Sequence, residues 1–387
     1  MSFFSENQKN ISFLVFSDDW GEHPSSCQHI FKYLVKDYPV VWVNTIGMRS
    51  PNLSKQDAIK AFRKLKRMFS TASKGKACPK LPENLSVLQP FMFPYNKGVW
   101  RKLNQISVVK AVRRELHNRG LVSPILVTTV PNACDYIGSF QERCVVYYCV
   151  DDFANWPGHD KDLVLRMEED LIKKTDVFIA TSEDLFLKLS KVSESIYLLP
   201  HGVDLERFKA ISGSETSFAN IPRPRAGYVG LIDERLDWDL LTFLAQSLKK
   251  INFVFVGKLE ANFSEKMPNL FFVPPVPYEE VPAVLKSFDV LILPYKVNDF
   301  TQTLNPLKLK EYLASGRPIV GSPLKEIEKW SPFLRVARTR EEWVKGLEEA
   351  LSEDRGAVLP GLYEHLARED WSAKAREFLN ICLSHAR

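Results

Sequence analysis

The 387 residues are too many for one ordinary core and suit two domains, and 45% hydrophobic with 12% aromatic content is the makeup of a folded chain. No apolar run reaches the ~18 residues that span a bilayer, and the opening MSFFSENQKN lacks the basic, apolar and small-residue regions of a signal peptide. The net charge of +5 hides an asymmetry: Arg49 to Arg119 holds seventeen Lys/Arg against three acids (Asp57, Glu83, Glu115), while the remainder is acidic.

The six cysteines (Cys27, Cys78, Cys134, Cys144, Cys149, Cys382) are scattered without a CxxC pair, which points to reduced thiols in the cytoplasm and away from structural zinc. In chain order, Ile11–Phe16 reads as a buried strand, a helix starts near Ser25, and Val40–Val43 is a second strand. That spacing is a doubly wound α/β unit. The loop between first strand and helix lies where such folds bind ligands, so His23 is a candidate acceptor contact, with a solvated histidine as the plain alternative.

Between Asp57 and Ser70, Ala58, Ala61, Phe62, Leu65, Met68 and Phe69 recur at helical spacing, with Lys60, Arg63, Lys64 and Arg67 opposite. This is the pattern of a cationic amphipathic helix lying on an anionic membrane surface; a packed helix with a solvated basic face is the alternative. Leu85–Leu88 reads as a strand, and FMFPYNKGVWRKL as an aromatic and basic loop that joins the same surface. Basic and aromatic interleaving also suits nucleic acid, but no nucleic-acid-binding motif accompanies it, so none is expected as a partner.

Strand signals at Ile125–Thr128 and Val145–Cys149 lead into Asp151 and Asp152, then helix 162–174, a strand over Asp176–Ala180, and Pro200-His201-Gly202-Val203-Asp204. GSETSFANIPRPR has the polar, proline-rich makeup of a linker. Alternation restarts with a strand ending at Gly230, a loop Leu231–Asp237, helix 238–248, and apolar runs at Phe253–Val256, Leu270–Val273 and Val290–Leu293. A final helix carries Trp371, Ala375 and Phe378.

The most informative stretch is NDFTQTLNPLKLKEYLASGRPIVGS. Asn305 is expected to cap a helix with Pro306 in its first turn, and Ser315-Gly316-Arg317-Pro318 to end it. Free N–H groups around Leu307, with the Lys308 ammonium beside them, make a seat for phosphate, and Glu311 lies about one turn further in. Such a seat suits a nucleoside diphosphate, its phosphates on the N–H groups and its ribose hydroxyls on the carboxylate. A plain helix–strand unit with solvated Lys and Glu is the competing reading.

PLKLKEYLASGRPIV resembles the donor segment of GT-B glycosyltransferases, and the PHGVD turn resembles the exit from their N-terminal domain. The resemblance implies two Rossmann-like domains facing a cleft: an acceptor-binding domain over residues 1–204, a nucleotide-sugar domain over 225–360, and 361–387 returning to the first. It implies donor contacts from Gly230, Asn305, Pro306, Leu307, Lys308 and Glu311. Two departures stand out: Thr303 occupies the place of a first glutamate, and Leu231 that of an arginine, leaving Arg235 as the nearby cation.

Lys308, Glu311 and the Asp151-Asp152 pair also resemble an inverting glucuronosyltransferase of xanthan synthesis, which makes one aspartate the base; the alternative is that it caps the next turn. The implied activity is hexosyl or uronosyl transfer from a nucleotide sugar, the UDP form by family frequency, to a lipid-linked or saccharide acceptor in bacterial surface polysaccharide synthesis. No metal and no cofactor beyond the nucleotide-sugar co-substrate are expected, and the location is peripheral on the cytoplasmic membrane face. The alternatives are a nucleotide-sugar 2-epimerase of the same fold and a binding protein without turnover.

Overall fold

The computed structural model describes residues 11–22, 25–45, 81–156, 158–209, 217–261, 263, 267–352 and 360–386. His23 and the basic segment with Lys60, Phe62, Arg63, Lys64 and Arg67 lie outside them. The chain divides into two compact units, one running to Leu199 and resuming at Ala375, the other from Pro200 to Lys374.

The first unit is a seven-stranded, wholly parallel sheet of β1 (Phe13–Ser17), β2 (Val40–Asn44), β3 (Leu85–Leu88), β4 (Ile125–Thr128), β5 (Cys144–Cys149), β6 (Val177–Ala180) and β7 (Ile196–Leu198). Its order is β3-β2-β1-β4-β5-β6-β7, with Phe13 opposite both Val40 and Ile125. Strands such as FLVFS and VVWVN are buried along their whole length because helices cover both faces, which selects apolar runs over alternation.

Helices α1 (Ser26–Leu34), α2 (Gly98–Asn118), α3 (Lys161–Ile172) and α4 (Glu183–Leu189) connect them. Ser25 caps α1 through the Gln28 N–H, Asp160 caps α3 through Leu163, and Ser182 caps α4 through Leu185. The 21-residue α2 begins at Gly98, inside the stretch expected to be a loop. Its inward face is only Asn104, Val108, Val112 and Leu116, and the aromatic residues before it do not follow a helical period.

The second unit repeats the plan with six parallel strands: β8 (Arg225–Val229), β9 (Asn252–Val256), β10 (Leu270–Val273), β11 (Val290–Leu293), β12 (Ile319–Gly321) and β13 (Arg335–Val336), in the order β10-β9-β8-β11-β12-β13. Its labelled helices are α5 (Trp238–Ser247), α6 (Val281–Lys286), α7 (Leu307–Ser315), α8 (Arg340–Ser352) and α9 (Leu362–Arg368). Leu205, Phe208, Phe218 and Ile221, amid the polar linker composition, are buried in this unit's core, and Phe218 stacks on Phe288 at 5.2 Å.

Val203 N donates to Glu369 O and Trp371 N to Val203 O, pinning the PHGVD turn to the start of the last helix, α10 (Trp371–His385). Gly202 is required there, since a Cβ would stand 2.8 Å from the Trp371 ring. From Ala375 onward α10 belongs to the first unit, where Phe378 packs edge-on against Phe31 (5.8 Å) and Tyr148 (5.5 Å). The architecture is two Rossmann-like doubly wound α/β domains with a C-terminal helix returning to the first, as read from the sequence.

Candidate functional site

In a doubly wound sheet the ligand crevice opens where strand order reverses, beyond the carboxyl ends of the two central strands. In the second unit these are β8 and β11, which neighbour one another while their chain connections run to opposite sides. Lys308 fills this position. Its Nζ donates to the Tyr228 hydroxyl from β8 (2.7 Å) and to the Tyr295 hydroxyl just after β11 (3.2 Å). The Tyr228 hydroxyl in turn donates to the Leu231 carbonyl at 2.9 Å.

Gly230 makes room for this ammonium: at φ +144°, a Cβ there would stand 2.7 Å from Lys308 Nζ. Gly257, at the end of β9, crosses the same loop so closely that a Cβ would lie 1.8 Å from the Gly230 carbonyl oxygen. Two glycines thus let two loop backbones and one cation share the crevice.

Helix α7 opens at Leu307 beside that cation. Pro306 occupies the cap position (φ −67°, ψ 115°), one residue after the expected Asn305, which is buried. Pro306 itself offers no side-chain cap and the first turn holds no acid, so nothing negative opposes an anion at this terminus. Gly316 ends the helix in the left-handed conformation at φ +71°.

Glu311 stands one turn behind Lys308 on α7. Burial pushes its carboxyl up to about 7, against the Tyr278 hydroxyl, Lys308 and Arg207, which favour the charged form, while Asp204 adds to the rise. Arg207 lies over the Tyr278 ring at 4.7 Å and pairs with Asp204 at 3.2 Å. Arg235 sits in the β8–α5 loop held by both Asp233 oxygens (3.0 and 2.9 Å), so its charge is already matched by a neighbour two residues away.

Sequence alone did not bring Tyr228, Tyr295, Tyr278 or Arg207 to this site. The GYVG run was the available signal for Tyr228. Thr303, in the place of a first glutamate, donates its hydroxyl to the Phe300 carbonyl (2.7 Å) and ends a short helical turn.

In the first unit the two aspartates after β5 differ. Asp152 is buried, accepting from Asn155 Nδ2 (2.7 Å) and from Lys188 Nζ (3.2 Å). Lys188 also binds Glu168 (2.9 Å), which accepts from the Tyr147 hydroxyl (3.0 Å). Burial opposes the Lys188 charge, but Glu168 and Asp152 outweigh it and push the ammonium up to about 12. Asp151 is half-buried. Among the described residues no group of three or more His, Cys, Asp or Glu is placed to hold a metal ion.

Two doubly wound α/β units joined in one chain with a returning C-terminal helix are the GT-B fold. Residues 223–353 match the model of the family described as glycosyl transferases group 1. The chain is 25% identical over 262 residues to TuaH of Bacillus subtilis (strain 168), named as a teichuronic acid biosynthesis glycosyltransferase; the match covers 61% of this chain and 66% of that protein.

Solved structures share the fold over nearly the whole length. Sucrose-phosphate synthase of Thermosynechococcus elongatus superposes with a TM-score of 0.69 at 14% identity, covering 96% of this chain and 98% of that one. HepE of Anabaena, solved in complex with UDP-glucose, gives 0.65 at 12% identity over 96% and 99%. The GT-B fold expected from the sequence is therefore the one found.

Proposed function

We propose that the protein is a glycosyltransferase that moves a hexosyl or uronosyl group from a nucleoside diphosphate sugar, the UDP form first, to a lipid-linked or saccharide acceptor in bacterial surface polysaccharide synthesis. The observation that carries this reading is Lys308, held at the strand-order reversal against Gly230 and beside the N-terminus of α7. The helix terminus and the ammonium stabilise the leaving diphosphate without a metal, and Glu311 takes the ribose hydroxyls. A surface-polysaccharide role is favoured by the relative named for teichuronic acid biosynthesis, and a UDP-sugar donor by the UDP-glucose complex of HepE.

Asp151 is our candidate base because it comes first off β5, with Asp152 held by Lys188 and Asn155 as the orienting neighbour. The basic segment with Lys60, Arg63, Lys64 and Arg67 would place the enzyme peripherally on the cytoplasmic membrane face. The lack of a carboxylate at Thr303 favours, as second reading, a donor-binding protein without turnover. Product analysis separates these: purified protein with UDP-sugars and a lipid-linked saccharide should yield extended acceptor and free UDP. Donor binding with no product establishes the second reading, and an interconverted nucleotide sugar would make the chain an epimerase.

A further inference from the structure

We propose that the segment 91–97 and the outward face of α2 form a lipid-inserting surface, seated in the headgroup region of a bilayer rich in anionic phospholipid. The proposal rests on the reading of a transferase with a lipid-linked acceptor, and it assigns the contact to residues distinct from the basic segment at 57–70.

Six large apolar side chains within sixteen residues face solvent: Phe91 (36% exposed), Tyr95 (47%), Val99 (61%), Trp100 (41%), Leu103 (41%) and Ile106 (64%). At about 100° per residue, Asn104, Val108, Val112 and Leu116 form one side of α2, and Val99, Leu103 and Ile106 fall on the other. The start of the helix is therefore apolar on its outward side, while the core covers the inward side from Val108 on. Lys102 adds an exposed cation beside this set, and further along the outward side turns basic with Lys110 and Arg114 exposed.

The aromatic segment is held in place. Asn104, buried, accepts from Phe93 N at 2.7 Å and donates to the carbonyls of Phe93 (2.9 Å) and Tyr95 (3.2 Å). Phe93 packs on Trp100 at 4.5 Å and on Phe91 at 4.9 Å. A buried polar side chain spending three hydrogen bonds to present Tyr95 and Trp100 outward fixes a surface of the kind found at the membrane interface, where the rings of Trp and Tyr have one apolar and one wet side.

Charge selects the occupant. The only acid in α2 is Glu115, which accepts from the Ser86 hydroxyl at 2.5 Å, and Arg101 is spent on Asp135. What remains outward is aliphatic, aromatic and cationic, complementary to anionic headgroups over acyl chains. A second copy bound symmetrically would bring this basic set against itself.

The test compares wild type with a Val99→Ser, Leu103→Ser, Ile106→Ser variant in sedimentation with vesicles of phosphatidylcholine and phosphatidylglycerol in equal parts. The variant should lose about tenfold or more in partitioning and all of the binding that resists high salt, with an unchanged melting temperature. Ile106→Ser alone, with a smaller loss, serves if the triple change unfolds the chain. Equal partitioning of variant and wild type, or a wild type that never binds these vesicles, overturns the proposal. So does a variant that turns a dimer into a monomer with vesicle binding intact. UDP binding measured on the same samples reports separately on the transferase reading.

Discussion

The sequence singled out Lys308 as the cation following Asn305-Pro306, but not the side chains it meets. Tyr228, on β8, lies 80 residues before Lys308 and Tyr295, just after β11, lies 13 before it, and the adjacency of β8 and β11 brings the two rings to the same ammonium. Lys308→Ala should weaken UDP binding roughly 10- to 100-fold, the ~1.5–3 kcal/mol of a charge-assisted phosphate contact. The fold should survive, because the Tyr228 hydroxyl keeps its bond to Leu231. Calorimetric titration measures it; unchanged affinity removes Lys308 from the site.

Glu311 adds a pH dependence. Its folded value, raised to about 7, exceeds the ordinary one of 4.5, so its contribution to stability is present at acid pH and is lost as pH rises through 7. Glu311→Gln should therefore stabilise the apo protein at pH 8, by an amount on the order of 1–3 kcal/mol, and hardly change it at pH 4.5. Ribose binding needs the ionised carboxylate, so wild-type affinity for UDP should rise between pH 6 and 8 more than that of the variant. For the aspartates, Asp151→Asn should lower turnover about 10²-fold or more with donor binding retained. Asp152→Asn should instead lower the melting temperature, because it strips a buried partner from Lys188. The reverse pattern would make Asp152 the base.

At the scale of elements, buried strands were legible as short apolar runs with turn residues at their ends, and α3, α5 and α7 as periodic stretches with start or stop signals. Helix α2 was not, because its exposed face carries Val99, Leu103 and Ile106, which erases the contrast between core and solvent sides. The start of α7 was displaced by one residue for a local reason. Pro306 has the helical φ, but its extended ψ leaves it in the cap position. The loop crossing at Gly257 was invisible in sequence, yet it is sterically strict. Gly257→Ala would combine φ +152° with a Cβ 1.8 Å from a backbone oxygen. It should destabilise the second domain by about 2 kcal/mol or more and distort the Gly230 loop, lowering UDP affinity too. A melting curve matching wild type would contradict that geometry.

At the scale of the whole molecule, two sheets of one topology are built on one chain, and a single helix, α10, starts in the second unit and ends in the first. Its start is fixed by a buried charge cluster: Glu369 holds Lys310 and also Lys374 (3.2 Å), and Lys310 reaches the His201 carbonyl. Burial, only partly offset by Glu369, pulls the Lys310 ammonium down to about 8. The +14 charge of residues 49–119 belongs to the first unit. Replacing Lys60, Arg63, Lys64 and Arg67 with glutamine should weaken binding to anionic vesicles at low salt, by about 1 kcal/mol per charge, and the difference should shrink at high salt. Sedimentation measures it, and equal binding at low salt would remove that segment from the membrane contact.

The account turns on the seat at the reversal of strand order in the second domain, and a crystal structure of the protein with a bound UDP-sugar tests it most directly. It should show the diphosphate at the start of α7 within hydrogen-bond distance of Lys308 Nζ, and the ribose hydroxyls on Glu311. A nucleotide bound away from Lys308 and Glu311, or none at saturating concentration, would contradict it.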